Sequence, residues 1–146
     1  MRIYKEEATF TIGQANILQD GKSVAIIACG IMVYEALIAA QKLNDHGVSA
    51  AVIDMHTIKP IDKDTIIKMA KQCGAIVTAE NHNAMGALGS AVAEVLVEHC
   101  PIPMERIGVF ESFGQVGTQD YLKQTYDLTS EAIYEKAMKA ITRKRV

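Results

Sequence analysis

The chain has 146 residues, of which 49% are apolar and 22% charged, an ordinary composition for one soluble globular domain. Its net charge of −2 gives no reason to expect nucleic acid or an anionic membrane as a partner. No apolar run approaches the ~20 residues that span a bilayer, and the amino terminus is too polar for a signal peptide. Cys29, Cys73 and Cys100 form no metal or redox spacing, which favours reduced thiols in a cytoplasmic protein.

The amino-terminal part of the chain divides into a lead-in and the start of a domain. We interpret residues 1–10 as a lead-in or linker and residues 11–146 as one domain. The Asp20-Gly21 pair separates apolar runs at 15–18 and 24–28. An Asp-Gly pair in this position indicates a hairpin, and the short first run is suited to an edge strand.

From residue 24 onwards, short apolar runs alternate with stretches of helical periodicity. The runs predicted to be strands are 24–28, 50–53, 75–79 and 107–110. Helical patterns follow at 31–46, after Pro60, after Gly86 and after Thr129 or Ser130. This alternation predicts βαβ units, a parallel sheet and helices on both faces of the sheet.

Turn and cap residues mark the helix ends in this pattern. Pro60 is expected to enter the second helix, and Asp62 can cap it. Gly47 and Gly74 stand where glycines commonly end helices.

Polar residues follow each predicted strand. Because the carboxyl ends of parallel strands meet at one edge of the sheet, these residues should lie where open α/β sheets bind ligands. The candidate crevice consists of Gly30, His56, Glu80, Asn81 and His82. Imidazoles beside carboxylates suit acid–base chemistry or metal binding, although no His-x3-His or Cys-x2-Cys pair supports a metal. The same side chains could instead bond loop backbone or a neighbouring domain.

Two glycine-containing segments leave similar alternatives open. The turn Gly86-Ala87-Leu88-Gly89 opens a helix directly after a strand, so it could bind an anion, but close helix–strand packing explains its glycines equally well. In the loop Phe113-Gly114-Gln115-Val116-Gly117, an exposed Phe113 would indicate docking to another surface. A Phe113 folded back as a plug is the alternative.

Three segments resemble the carboxyl-terminal domain of transketolase. They are Asp-Met-His-Thr-Ile-Lys-Pro-Ile-Asp at 54–62, the stretch 79–94, and the stretch 113–131, whose Tyr-Asp-Leu-Thr is similar to the family's Tyr-Gly-Leu-Thr. The same domain occurs in deoxyxylulose-phosphate synthases and in 2-oxoacid dehydrogenase β subunits. His56-Thr57 is most similar to the split, two-subunit transketolases. Ala87 and Gln115-Val116 depart from the family pattern.

The resemblance implies a three-layer α/β/α sandwich. Its five-stranded, mostly parallel sheet would have the order 1-3-2-4-5, with strand 1 antiparallel. Strands 1 and 2 would then not be neighbours, which conflicts with the hairpin at Asp20-Gly21. We follow the resemblance, because it covers nearly the whole chain and turn chemistry is local. The loops at Gly30 and at 80–83 would flank the crevice.

The resemblance also implies a function. It predicts a non-catalytic assembly domain of a dimeric, cytoplasmic transketolase of the pentose phosphate pathway, with the other transketolase domains or subunit as partners. The intact enzyme would transfer two-carbon ketol units between sugar phosphates, using thiamine diphosphate and Mg²⁺. The family's Gly-Asp-Gly and Asn-Asn cofactor motif has no match in this chain, so no catalytic, cofactor-binding or metal-binding residue is predicted.

Two other functions remain open from the sequence. One is a docking domain of a 2-oxoacid dehydrogenase β subunit, which would bind an acyltransferase core. The other is a small-molecule regulatory domain with its site in the crevice around His56, Glu80 and His82.

Overall fold

The computed structural model describes residues 2–144, which contain five strands and five helices. The strands are β1 (Asn16–Gln19), β2 (Val24–Ala28), β3 (Ala50–Asp54), β4 (Ile76–Asn83) and β5 (Met104–Val109). The helices are α1 (Met32–Asp45), α2 (Lys63–Cys73), α3 (Leu88–His99), α4 (Gln119–Thr125) and α5 (Ser130–Thr142). None of the described helices is long and apolar enough to cross a membrane.

The strands form one sheet in the order β1-β3-β2-β4-β5. β1 is antiparallel to β3, and all other neighbours are parallel. This confirms the strand order that the resemblance implied. The hairpin predicted from Asp20-Gly21 is wrong, because β1 pairs with β3, where Ile17 lies opposite Ile53.

Burial explains why β1 and β2 are separated in the sheet. Every residue of β2 is buried, so this strand needs a neighbour on each side. β1 is only partly buried and suits the edge. The Asp20-Gly21 turn packs against the start of β3, where a Cβ on Gly21 would lie only 2.2 Å from the carbonyl carbon of Ala50. Close backbone approach therefore requires the glycine here.

Two apolar layers cover the two faces of the sheet. On one face, Val24 and Ile26 of β2 pack in a cluster with α1 and α5. On the other face, Ala25 and Ile27 pack in a cluster with α2 and α3. Because successive residues of a strand point to opposite faces, a fully apolar β2 can serve both layers. The result is a three-layer α/β/α sandwich.

The observed helix ends lie where the cap residues predicted them, with one exception. The Asp62 carboxylate caps α2 by accepting a hydrogen bond from the Thr65 N–H at 2.9 Å, and Gly74 ends this helix in the left-handed region. Thr129 caps α5. Pro60, however, lies in the turn before α2 and not inside the helix, because the helix begins only after Asp62.

β4 and β5 are longer than the apolar runs that predicted them. The predicted loop at 80–83 is the end of β4, where the ladder resumes with Asn83 opposite Val109. β5 begins at Met104 and includes Glu105, a buried carboxylate that accepts hydrogen bonds from Lys139 and Arg143 of α5 and its end. Because Glu105 is paired with cationic side chains from α5 and its end, this buried carboxylate is compatible with a strand.

Candidate functional site

The carboxyl ends of β2 to β5 lie at one edge of the sheet, together with the chain that enters β1. We call this the strand-end edge. Gly30 and Asn81 meet there, since a Cβ on Gly30 would lie 3.3 Å from Asn81 Oδ1. His56 follows β3 and His82 belongs to β4, and these strands lie on opposite sides of β2, about 10 Å apart. The crevice residues thus lie at the same edge of the sheet, but the two imidazoles lie on opposite sides of the end of β2.

Glu80 is a buried helix cap. Its side chain is on β4, and the residue is only 1% exposed. One carboxylate oxygen accepts from the Leu88 N–H at 3.0 Å, and the other accepts from the Gly89 N–H at 2.8 Å. Both groups are in the first turn of α3, which has no capping side chain of its own. The negative charge therefore lies at the positive end of the helix dipole.

This contact decides between the two interpretations of the turn at 86–89. The Leu88 and Gly89 N–H groups, which could otherwise bind an outside anion, are bonded to Glu80. A Cβ on Gly89 would lie 2.9 Å from Arg106 Cδ and 3.0 Å from Thr78 Oγ1. Close helix–strand packing therefore accounts for Gly89, and the helix terminus is neutralised from within the chain.

Asp54, at the end of β3, is bonded to the amino-terminal segment. The Tyr4 hydroxyl donates to Asp54 Oδ2 at 2.5 Å, and the Tyr4 ring packs edge-on against Phe10. Burial and the Asp54 carboxylate raise the pKa of Tyr4 to about 12. Residues 2–10 thus contact the strand-end edge, although they form neither helix nor strand.

Cys29 follows β2 beside these carboxylates. Burial, with the nearby charges of Glu80 and Asp54, raises the pKa of the Cys29 thiol to about 11. A thiol with so high a pKa stays protonated at neutral pH, so Cys29 is not an activated nucleophile.

His56 holds the segment before β1. Its Nε2 lies 3.2 Å from the carbonyl oxygen of Thr11, which assigns the proton to this nitrogen. Its ring packs edge-on against Phe10, with 5.1 Å between ring centroids. Nδ1 is buried and has no hydrogen-bond partner within residues 2–144. His56 therefore bonds loop backbone through Nε2 and packs on an aromatic ring.

Residues 110–121, which we call the arm, leave β5 at the same edge. Every residue of the arm is exposed, including Phe110 and Val116, and Phe113 is 97% exposed. Phe113 is therefore not a plug. Among the described residues, nine of the twelve large exposed apolar side chains lie in segments that adjoin the strand-end edge: Phe10, Ile12, Ile31, Ile58, Met85, Phe110, Phe113, Val116 and Tyr121. Such a concentration is typical of an interaction surface.

A cleft of about 570 Å³ lies away from the Gly30–Asn81 contact, between β5 and the junction of α4 with α5. Its lining includes Arg106, Phe110, Tyr126, Glu135 and Lys136. The Arg106 side chain donates to the Ala84 carbonyl, so it also ties β5 to the turn before α3.

Sequence reasoning missed two polar contacts. Tyr4 lies in the predicted lead-in, and nothing local connects it to Asp54. Glu35 is buried on α1, where it binds Lys123 and the backbone of Ser130. One signal for Glu35 was available: it falls at helical spacing among the buried residues Met32, Ala36 and Ala39.

The fold and the strand-end edge define an α/β/α domain in which Asp54, His56 and Glu80 are bonded within the chain, while a group of large apolar side chains is exposed at the same edge. The chain belongs to the family described as "Transketolase, C-terminal domain", whose model matches residues 13–133.

Several known proteins are similar to this chain. The chain is 46% identical over 144 residues to the 6-deoxy-6-sulfo-D-fructose transketolase subunit SqwH of Clostridium sp., covering 99% of this chain and 45% of that protein. It is 44% identical over 135 residues to a putative transketolase C-terminal section of Methanocaldococcus jannaschii, covering 92% and 42%. A solved split-gene transketolase, described as an inactive β4 tetramer, superposes with a TM-score of 0.96 at 42% identity, covering 99% of this chain and 48% of that one. The chain thus spans less than half the length of each.

Proposed function

We propose that this chain is the non-catalytic assembly domain of a thiamine-diphosphate-dependent transketolase of the split, two-subunit kind. The intact enzyme would move two-carbon ketol units between sugar phosphates. The proposal rests on the family membership and on the similarity to subunits of split transketolases.

The observation that carries the assembly role is the apolar surface of the strand-end edge. The arm contains twelve successive exposed residues, and Phe113 and Val116 bury nothing within the domain. Exposed side chains of this size stabilise nothing until another surface covers them. We expect other transketolase domains or subunits to provide that surface.

The polar side chains of the strand-end edge do not fit thiamine diphosphate or Mg²⁺. Both oxygens of Glu80 accept N–H groups of the first turn of α3, so a carboxylate already lies at the helix terminus and would repel a diphosphate. Asp54 Oδ2 accepts from Tyr4, and no group of three or more potential metal-ligating side chains occurs within residues 2–144. In this proposal, thiamine diphosphate and Mg²⁺ are therefore bound by other parts of the enzyme.

A ketol-transfer assay tests the proposal. The purified chain, supplied with thiamine diphosphate and Mg²⁺, should show no turnover alone, whereas a mixture with its cofactor-binding partner should be active. Replacing Phe113 by Asp should reduce copurification with that partner, because a carboxylate would enter the apolar contact. Val97→Asp is the matched control, since Val97 is exposed near the far end of α3. Turnover by the chain alone would contradict the non-catalytic role.

A further inference from the structure

We propose that the buried carboxylate of Glu35 anchors α4 and thereby sets the position of the arm. Glu35 would be a positioning residue for assembly. This inference rests on the proposed function in one respect only, the use of the arm as a contact surface. The anchor itself is argued from contacts within the chain.

Glu35 binds α4, in which the arm ends, and the start of α5. It belongs to α1 and is only 6% exposed. Oε1 accepts a hydrogen bond from Lys123 Nζ of α4. Oε2 accepts from the N–H of Ser130, the first residue of α5, at 2.9 Å. One side chain thus ties both α4 and the start of α5 to the body of the domain.

α4 has little else to hold it. No residue of this helix is buried. Its other side-chain hydrogen bonds are local, such as the Tyr121 hydroxyl to Gln115 Oε1 at 2.8 Å. Within residues 2–144, Lys123 provides the only side-chain hydrogen bond from α4 to an element outside the segment 110–129. A short helix without buried contacts belongs to the low-stability end of a fold, so this single contact decides whether it stays in place.

The ion pair is strong enough for this role because it is shielded. The side chains of Glu35 and Lys123 are 7% and 23% exposed. A carboxylate in such a place is costly without its cation, and the pair is only weakly screened by salt. The pair Lys42–Glu131 also starts from α1 and reaches α5, but its side chains are 39% and 58% exposed. This second pair provides a matched comparison, because exposed pairs contribute little.

Amide hydrogen exchange on the full chain tests the anchor. Lys123→Gln should accelerate exchange at Leu122 and Tyr126, whose N–H groups bond within and after α4, by at least tenfold. Exchange in β2 should stay unchanged, because the core does not depend on this contact. Lys42→Gln should leave both regions as in the wild type. Glu35→Gln should act like Lys123→Gln, since it also removes the ionic contact.

Unchanged α4 exchange in Lys123→Gln, or equal acceleration in Lys42→Gln, would overturn the anchor. Lys123→Gln is informative even if Glu35→Gln fails to fold, because α4 is at the surface. Copurification with the cofactor-binding partner separates this inference from the proposed function. If Lys123→Gln frees α4 while neither it nor Phe113→Asp reduces copurification, the anchor is supported and the assembly role fails. If only Phe113→Asp reduces copurification and α4 exchange is unaffected, the assembly role is supported and the anchor fails.

Discussion

Single polar side chains join distant parts of this chain at the strand-end edge and beside it. Tyr4 reaches Asp54, and Glu35 reaches Lys123, in each case across a long stretch of sequence. Both carboxylates are buried and bonded, as buried charges must be to avoid a large desolvation cost. These carboxylates therefore bind other parts of the same chain and stabilise the fold.

The Tyr4–Asp54 contact predicts a loss of stability at alkaline pH. The pKa of Tyr4 is raised to about 12 by burial and by Asp54, whereas an unfolded tyrosine titrates at ~10. The folded state thus holds this proton more tightly, so the contribution is complete below pH ~10 and is lost as the pH rises towards 12. Partial exposure of Tyr4 limits the effect to about 1 kcal/mol.

Urea unfolding at pH 8 and at pH 11 measures this contribution. The free energy of unfolding should fall more in the wild type than in Tyr4→Phe, which lacks the titrating hydroxyl. All other tyrosines are common to the two proteins and cancel in the comparison. An equal fall in both would show that the contact does not contribute.

Asp127 is held in an unfavourable backbone conformation. Its φ is 53°, in the left-handed region, and the residue is exposed. Asp127→Gly should raise the free energy of unfolding by about 0.5–1 kcal/mol, because glycine adopts this conformation without strain. The midpoint of urea unfolding should rise with an unchanged slope. Asp120→Gly, inside α4, should not stabilise, and a loss of stability in Asp127→Gly would contradict the strain argument.

At the scale of elements, α3 depends on a cap from a different element. Glu80 of β4 satisfies two backbone N–H groups in its first turn, and the helix has no capping side chain at Ala87. The cap also ties the helix to the strand before it. Since α3 packs in the cluster with β2 and α2, loss of the cap should weaken the whole layer.

Replacing Glu80 by Ala should therefore be costly. It leaves two buried N–H groups without an acceptor and removes the charge from the helix dipole, for a loss of about 2–4 kcal/mol. Glu80→Gln keeps one acceptor oxygen and should cost less. Urea unfolding checks both values, with Glu98→Gln, at an exposed site near the end of α3, as the control. Equal stability of Glu80→Ala and the wild type would contradict the capping role.

At the scale of the whole molecule, apolar burial and apolar exposure are separated in space. Two buried clusters cover the faces of the sheet, while most large exposed apolar side chains adjoin the strand-end edge. β1 adds an exposed edge strand with Ile17 at its surface. The domain thus combines a core of its own with a surface that favours contact with another chain.

This arrangement predicts cooperative unfolding together with weak to moderate self-association. In sedimentation across a wide concentration range, the isolated chain should dimerise at high concentration through the arm or the β1 edge. Phe113→Ala should shift dimerisation to higher concentration, and Val97→Ala should not, since Val97 lies on α3 away from the arm. A strict monomer at the highest concentration would contradict the interface argument.

Much of the fold could be predicted from local patterns. The apolar runs predicted β2, most of β3 and the first half of β4, and the cap residues Asp62, Gly74 and Thr129 predicted helix ends. These signals succeed because periodicity and capping depend on residues close together in the chain. α4 was not predicted, since a helix without a buried face shows no apolar periodicity.

The sequence by itself determined the alternation of strands and helices, the α/β fold class and, through the resemblance, the family. Only the tertiary structure decided that the Glu80 carboxylate fills the α3 terminus, that Glu35 binds Lys123, and that the arm is exposed. The physical reason is the range of the interactions. Helix and strand patterns depend on residues that are close together in the chain. The partner of a carboxylate and the exposure of an apolar side chain depend instead on segments that meet only after the sheet has formed.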